Sequence, residues 1–290
     1  MTIGTPLIPI LDSISGLARR YDAWLADIWG VIHNGVWCFP PAIEACRLFR
    51  GGGGVVILIS NSPRPRETVV EQLREVGVPP DCYDGIATSG DVTRMLMARY
   101  AGKTLFHLGP ERDLPIFDDL NVTLGGVGDS AAIVCSGLRN DETETPEDYA
   151  DLLAELRARG IPMICANPDI KVERGHRLIY CAGALAESYE RLGGKVVYAG
   201  KPHKPIYDLA LALVMARRGR AIPRHRIIAI GDGVNTDIAG AASQKIDSVY
   251  VASRVHMATL DDAGLSAGAL AGLFAGHKTR PIAAVGQLSW

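Results

Sequence analysis

The chain has 290 residues, a net charge of −2 and 21% charged residues. That length allows one or two domains, and the balanced charge, without a basic stripe or Lys/Arg cluster, argues against nucleic acid or an anionic membrane as partner. No apolar run reaches the length of a bilayer span, and residues 1–6 lack a basic region before an apolar core, so a cytoplasmic protein is expected.

From residue 22 onward, strand-like and helix-like segments alternate. Ala23-Trp24-Leu25-Ala26 is an apolar run followed by Asp27-Ile28-Trp29-Gly30-Val31. Residues 41–50 read as a helix, with Pro41 in its first turn and glycines at 51–54 ending it. Those glycines lack a following Lys-Ser/Thr, so they read as a turn, not a phosphate cradle. Residues 55–59 form a second buried strand, followed by Ser60-Asn61-Ser62. Helices follow at 66–76, stopped by Gly77 and Pro79, and at 91–100, capped near Ser89.

The middle of the chain differs in texture. Residues 104–108, 131–136 and 161–165 read as short strands, and an acidic stretch at 140–148 leads into a helix from Pro146 to about Arg159. This pattern reads as a second α/β unit inserted into the first. The first pattern then resumes with a helix at 204–217, a strand at 227–230, a helix from Asp237 and a strand at 247–252. Beyond Val255 the chain is Ala/Gly-rich, with one expected helix near 264–275 and a loosely ordered end. Cys38, Cys46, Cys82, Cys135, Cys165 and Cys181 form no C-x-x-C pair and read as buried reduced thiols.

In an open parallel sheet, ligands bind beyond the carboxyl ends of the strands. Asp27, Ser60 and Asp232 each follow an apolar run, so they are expected to meet in one crevice. Ionised carboxylates repel unless a cation sits between them. Asp27, Asp232 and Asp237 therefore point to a hard divalent ion, most simply Mg²⁺, and such a site suits phosphate chemistry. Ser60 can donate to a phosphate, and Lys201, just before the helix at 204, adds positive charge where the helix start also favours an anion. Blander readings stand beside these. Asp27 and Asp232 also fit turns, and Asp237 fits a helix N-cap. Lys201 also fits a solvated loop, and Asn167 and Asp169 fit ordinary turn chemistry around Pro168. Trp24 and Trp37 are expected to pack.

Taken together, the motifs resemble those of the haloacid dehalogenase-like (HAD) hydrolase superfamily, in its NagD-like, class IIA branch, which is similar to pyridoxal phosphate and 4-nitrophenyl phosphate phosphatases. The resemblance rests on Asp27-Ile28-Trp29-Gly30-Val31, Ser60-Asn61, Asn167-Pro168-Asp169, Gly200-Lys201-Pro202 and Gly231-Asp232 with Thr236-Asp237, in that order. It implies a Rossmann-like, doubly wound parallel-sheet α/β core (1–86 and 186–290) with an inserted α/β cap of C2 type (87–185). The interval between Asp27 and Ser60 fits one helix and its loops, whereas that between Ser60 and Lys201 fits a small domain. The resemblance further implies an aspartyl-phosphate mechanism with Asp27 as nucleophile. Mg²⁺ would be held by Asp27, the Trp29 backbone carbonyl, Asp232 and Asp237. Ser60, Asn61, Lys201, Asn167 and Asp169 would contact a small phosphorylated metabolite, and a homodimer is expected because relatives of this branch are often dimers.

One residue departs from the pattern. Phosphatases of the family usually carry a second aspartate two residues after the nucleophile, as general acid and base; here that residue is Trp29. General acid–base catalysis is worth about 10²–10⁴-fold. Three compensations are open: His33 as substitute acid, a substrate with an acidic leaving group, or ligand binding without turnover. The dehalogenase branch also places an aromatic at that position, but its cap lies between the first two motifs and it does not generally use the Gly-Asp-x-x-x-Thr-Asp pattern.

Overall fold

The computed structural model describes residues 7–174, 177–252 and 265–290. In chain order the strands are β1 (Ile10–Leu11), β2 (Ala23–Asp27), β3 (Val55–Ser60), β4 (Gly85–Thr88), β5 (Thr104–Leu108), β6 (Thr123–Leu124), β7 (Ala132–Cys135), β8 (Met163–Cys165), β9 (Lys171–Arg174), β10 (Arg177–Tyr180), β11 (Val196–Tyr198), β12 (Ile227–Gly231), β13 (Asp247–Val251) and β14 (Ala283–Val285). The helices are α1 (Ser15–Ala18), α2 (Pro40–Gly51), α3 (Arg66–Glu75), α4 (Ser89–Met97), α5 (Ala150–Ala158), α6 (Ala182–Arg191), α7 (Lys204–Arg218), α8 (Ala239–Ser243) and α9 (Ala267–Leu273). Among the described residues, no helix is long and apolar enough to cross a membrane.

The chain divides into two compact units: Met1–Ile59, Glu71–Ile86 and Ala210–Trp290 form the first, and Ser60–Val70 and Ala87–Leu209 the second. In the first, a seven-stranded sheet runs in the order β1-β14-β13-β12-β2-β3-β4. Every residue of β2 and β12 is buried, which is why both read as continuous apolar runs. Trp24 stacks on Phe49 of α2, with ring centroids 4.1 Å apart, and anchors that helix on the sheet. Phe39 precedes two prolines in the first turn of α2, and Gly53 at φ +87° reverses the chain into β3. From β2 the chain moves outward to β3 and β4, then returns on the other side as β12. The switch point of the sheet thus lies between β2 and β12, which pair in parallel.

The second unit has its own five-stranded parallel sheet, β11-β8-β7-β5-β6, and an antiparallel β9–β10 ribbon. Alternate residues of β7 serve two cores. Ile133 and Cys135 pack with Leu153, Leu156, Leu185 and Tyr189 of α5 and α6, while Ala132 and Val134 pack with Met97, Ile116 and Phe117. β11 joins this sheet, so the unit reaches past the 87–185 span expected from the sequence.

Several local expectations need adjusting. The cap of α4 is Thr88, whose Oγ1 accepts the Asp91 N–H at 2.9 Å, one residue before Ser89. The C-terminal end is not loose: Ala283–Val285 is a buried strand between β1 and β13. Segment 255–264 lies outside the described residues; the helix expected after it is α9. Trp37 does not pack, being 58% exposed. All six cysteines are free, and all but the partly buried Cys38 are buried.

Candidate active site

Asp27 ends β2 and Asp232 directly follows β12, so the two parallel neighbours bring their carboxylates to the switch point. Asp237 joins them from the following π-helical turn, Val234–Ile238. All three are buried, and one oxygen from each lies within 4.8 Å of the others. The glycines of the motif explain how Asp237 reaches this place. A Cβ on Gly231 would fall 2.2 Å from Asp237 Cγ, and one on Gly233 would fall 1.9 Å from Thr236 Oγ1. The Gly233 N–H donates to Asp237 Oδ2 at 3.2 Å, and the Thr236 hydroxyl reaches the same oxygen at 3.3 Å. Asp237 is not the N-cap its position suggested, since that place is taken by Gly233; it ties the turn from within and faces the other carboxylates. Three buried carboxylate groups in this space are a hard-oxygen donor set, which fits a divalent cation such as Mg²⁺.

Ile59 pairs with Asp27 in the register of β2 and β3, and Ser60 is the next residue. Its Oγ accepts the Ser62 N–H at 3.1 Å, which leaves the hydroxyl hydrogen available to donate.

Trp29 is 36% exposed. Its ring lies on Gly35, where a Cβ would come within 2.3 Å of it, and meets the His33 ring edge-on with centroids 5.4 Å apart. His33 is buried, its Nδ1 accepts the Gly35 N–H at 2.8 Å, and burial pushes its pKa down to about 4. A ring held neutral in this way is a poor stand-in for a general acid near pH 7.

In the second unit, Asn61 is a fastener. Its Oδ1 accepts the Lys201 N–H at 2.7 Å, and its Nδ2 donates to Lys201 O at 3.2 Å and to Asp169 Oδ1 at 2.9 Å. Both amide hydrogens are thereby engaged. Asn167 closes an Asx turn by accepting the Asp169 N–H at 3.0 Å. Lys201 is 3% exposed, and the peptide after it is cis. Gly200 allows this packing, since a Cβ there would fall 2.4 Å from Asn61 Oδ1 and 2.9 Å from Ser89 Oγ. The loop beyond is held by the His203 ring, stacked on Tyr198 at 4.3 Å.

A second polar group in the same unit was not singled out from sequence: His107, Asp113 and Ser136, with Arg64 and Arg112 acting on Asp113. The signal was partly present, because His107 and Ser136 lie at the ends of two strands legible in the sequence. Arg64 sits on a loop and Asp113 in a short 3-10 turn, Glu111–Phe117, and neither carries such a mark.

Comparisons with known proteins converge on one family. A family profile described as haloacid dehalogenase-like hydrolase matches residues 24–123, and one described as HAD-hydrolase-like matches 198–269. A solved hydrolase of the haloacid dehalogenase-like family from Brucella suis 1330 is 51% identical, with TM-score 0.81, covering 85% of this chain and 94% of that one. NagD from E. coli K-12 is 21% identical, with TM-score 0.67, covering 92% of this chain and 97% of that one. The 4-nitrophenylphosphatase of Schizosaccharomyces pombe is 22% identical over 254 residues, 78% of this chain and 82% of that protein.

Proposed function

The chain belongs to the haloacid dehalogenase-like hydrolases, and from that membership we propose that it is a Mg²⁺-dependent phosphatase of a small phosphorylated metabolite. The observation that carries the reading is the convergence of Asp27, Asp232 and Asp237, all buried, at the switch point of the sheet. Relatives named as 4-nitrophenylphosphatases support it. In this reading the Asp27 carboxylate attacks phosphorus and the bond to the leaving oxygen breaks, giving an aspartyl-phosphate. Water then attacks that phosphorus, releasing inorganic phosphate and regenerating Asp27. Asp27, the Trp29 backbone carbonyl, Asp232 and Asp237 would hold Mg²⁺, which when bound neutralises the phosphoryl oxygens. Ser60 and Lys201 hold phosphoryl oxygens. Asn61, Asn167 and Asp169 serve by fixing the lysine segment, and residues 87–185 act as the cap that carries substrate contacts.

Trp29 sets the limit of this activity. Neither its indole nor the neutral His33 protonates a leaving oxygen near pH 7, so the reading favours esters whose leaving group is already acidic, such as acyl or enol phosphates. The same observation favours a second reading, a phospho-ligand-binding protein without turnover.

A panel of acetyl, 4-nitrophenyl and alkyl phosphates assayed with Mg²⁺ separates the two. The phosphatase reading expects turnover of the first two and its loss by about 10³-fold or more in Asp27→Asn. Thermal shifts with phosphate and Mg²⁺, but no turnover of any ester, establish the binder. Trp29→Asp is expected to raise alkyl phosphate hydrolysis by about 10²-fold or more. No gain in a folded, metal-binding variant removes the assigned cost of Trp29.

A further inference from the structure

The carboxyl edge of the second unit's sheet carries charged groups that phosphoryl transfer leaves unused. Three backbone hydrogen bonds level that edge: Ser136 N–H to Leu108 O at 2.9 Å, Ala166 N–H to Cys135 O at 2.8 Å, and Ala199 N–H to Cys165 O at 3.0 Å. Beyond them the chain presents Gly200-Lys201 after β11, Asn167 after β8, Ser136 after β7 and Gly109 after β5. Neighbouring strands lie about 4.8 Å apart, so Ser136 stands roughly 10 Å along the edge from the lysine segment. This is the edge where open parallel sheets bind ligands.

Ser136 is buried, meets His107 Nε2 at 3.0 Å, and hydrogen-bonds the buried Asp113. Burial, helped by the charge of Arg139, holds His107 neutral with its pKa near 4. Burial raises the Asp113 carboxyl, opposed by Ser136, Arg112 and Arg64. Arg112 is already engaged by Asp141. Arg64 differs from it. It is partly buried and lies three residues past Asn61, at most about 10 Å along the chain. Its backbone is pinned, because Gly90 packs so closely that a Cβ there would fall 2.3 Å from the Arg64 carbonyl oxygen. Yet its guanidinium makes no hydrogen bond or ion pair among the described residues. A planar fork of five donors, partly desolvated and lacking an acceptor, is suited to a carboxylate or phosphate.

We propose that Arg64 selects substrates whose leaving group carries a second anionic group, a carboxylate or another phosphate, while Lys201 takes the phosphoryl group that is transferred. Ser136 gives its hydroxyl hydrogen to Asp113 and so orders the carboxyl on which Arg64 acts. The span from the lysine segment to this group fits a small difunctional metabolite. The inference rests on the phosphatase reading and names its substrate class.

Two esters of one shape test it. 4-Carboxyphenyl phosphate and 4-carbamoylphenyl phosphate differ by a single charge. The protein is expected to favour the carboxylate by roughly tenfold or more in kcat/KM, mainly through KM. Arg64→Gln should bring the ratio close to one. Arg64→Lys, which keeps the charge but loses the fork, should fall between. 1,4-Phenylene bisphosphate as a third arm tells whether the second group is phosphate. A ratio of one or less for both anionic esters, or a ratio that Arg64→Gln leaves unchanged, overturns the proposal. Absence of turnover on every ester defeats the phosphatase reading separately. Calorimetric binding of the carboxy and carbamoyl esters then decides for Arg64: tighter binding of the former, lost in Arg64→Gln, supports it, and equal binding overturns it.

Discussion

Asp27, Asp232 and Asp237 crowd like charges at the ends of two rigid strands, whereas Asn61 joins Asp169 and both backbone groups of Lys201 through complementary donors and acceptors. The first arrangement is imposed by the sheet. Its strands are buried along their whole length, and Gly231 and Gly233 clear the space into which Asp237 turns. The second is held by its own hydrogen bonds, with one amide gripping the lysine backbone from both sides. A site forced on its residues by their surroundings gains from an added cation, because the cation relieves repulsion. A site that satisfies itself gains little from an added partner, and its role is to hold Lys201 in one place.

The sharpest break between the two is expected from Gly231→Ala. The added methyl displaces Asp237, so the Mg²⁺-induced rise in stability should vanish; at 100-fold excess over Kd that rise is about 2.7 kcal/mol in the native protein. Overpacking should cost a further ~1–3 kcal/mol without metal. Thermal denaturation with and without Mg²⁺ reads both effects. A variant that keeps the full Mg²⁺ shift would remove Asp237 from the ligand set.

Each unit also holds a histidine whose pKa is pushed down to about 4 by desolvation, the buried His33 behind Trp29 and the partly buried His107 beside Ser136. The unfolded chain takes up a proton near pH 6.5 and the folded chain resists it until about pH 4. The stability each contributes is therefore complete above about pH 6.5 and is lost as pH falls toward 4, by at most ~3 kcal/mol per ring. His33→Gln should flatten the fall of Tm with acid in this window, and His107→Gln should do likewise for the second unit. An unchanged slope in both would show that neither ring is held neutral.

The carboxylate site was legible in the sequence because each member follows an element that announces itself. Residues 23–26, 55–59 and 227–230 are unbroken apolar runs, and each ends in a polar residue that the sheet must deliver to its carboxyl edge. β4 escaped because Gly-Ile-Ala-Thr is short and half small residues. β14 escaped because Ala-Ala-Val is buried without being bulky. Trp37 was expected to pack on apolarity alone, but its loop carries it into solvent. The polar group around Ser136 was legible only in part, for another reason. Asp113 and Arg64 come together only because the second unit includes Ser60–Val70, and no local pattern records that juxtaposition.

Asn61→Ala should act in the opposite way to Gly231→Ala. It leaves the Lys201 N–H without its acceptor and should cost about 2 kcal/mol. The loss should be equal with and without Mg²⁺, because the amide orders lysine and not metal. Activity should fall about 10-fold or more as Lys201 loosens. A cost confined to the metal-loaded protein would mean that the two constellations are energetically one.

The smallest effect probes whether the second constellation is as self-sufficient as its geometry indicates. Ser89 is fully buried beside Gly200 and Asn61, and its hydroxyl has no hydrogen-bond partner among the described residues. The cap of α4 belongs to Thr88, and the Ser89 carbonyl keeps its bond from Thr93 whatever its side chain. Removing an unsatisfied buried hydroxyl relieves a desolvation cost, so Ser89→Ala should be neutral or stabilising by up to ~1 kcal/mol, with unchanged kcat/KM. Chemical denaturation and steady-state kinetics measure the two. A loss of stability would mean that the hydroxyl finds a partner in solution. A loss of activity with stability intact would mean that this partner is the bound phosphate, and the constellation around Lys201 would then be one that a ligand completes.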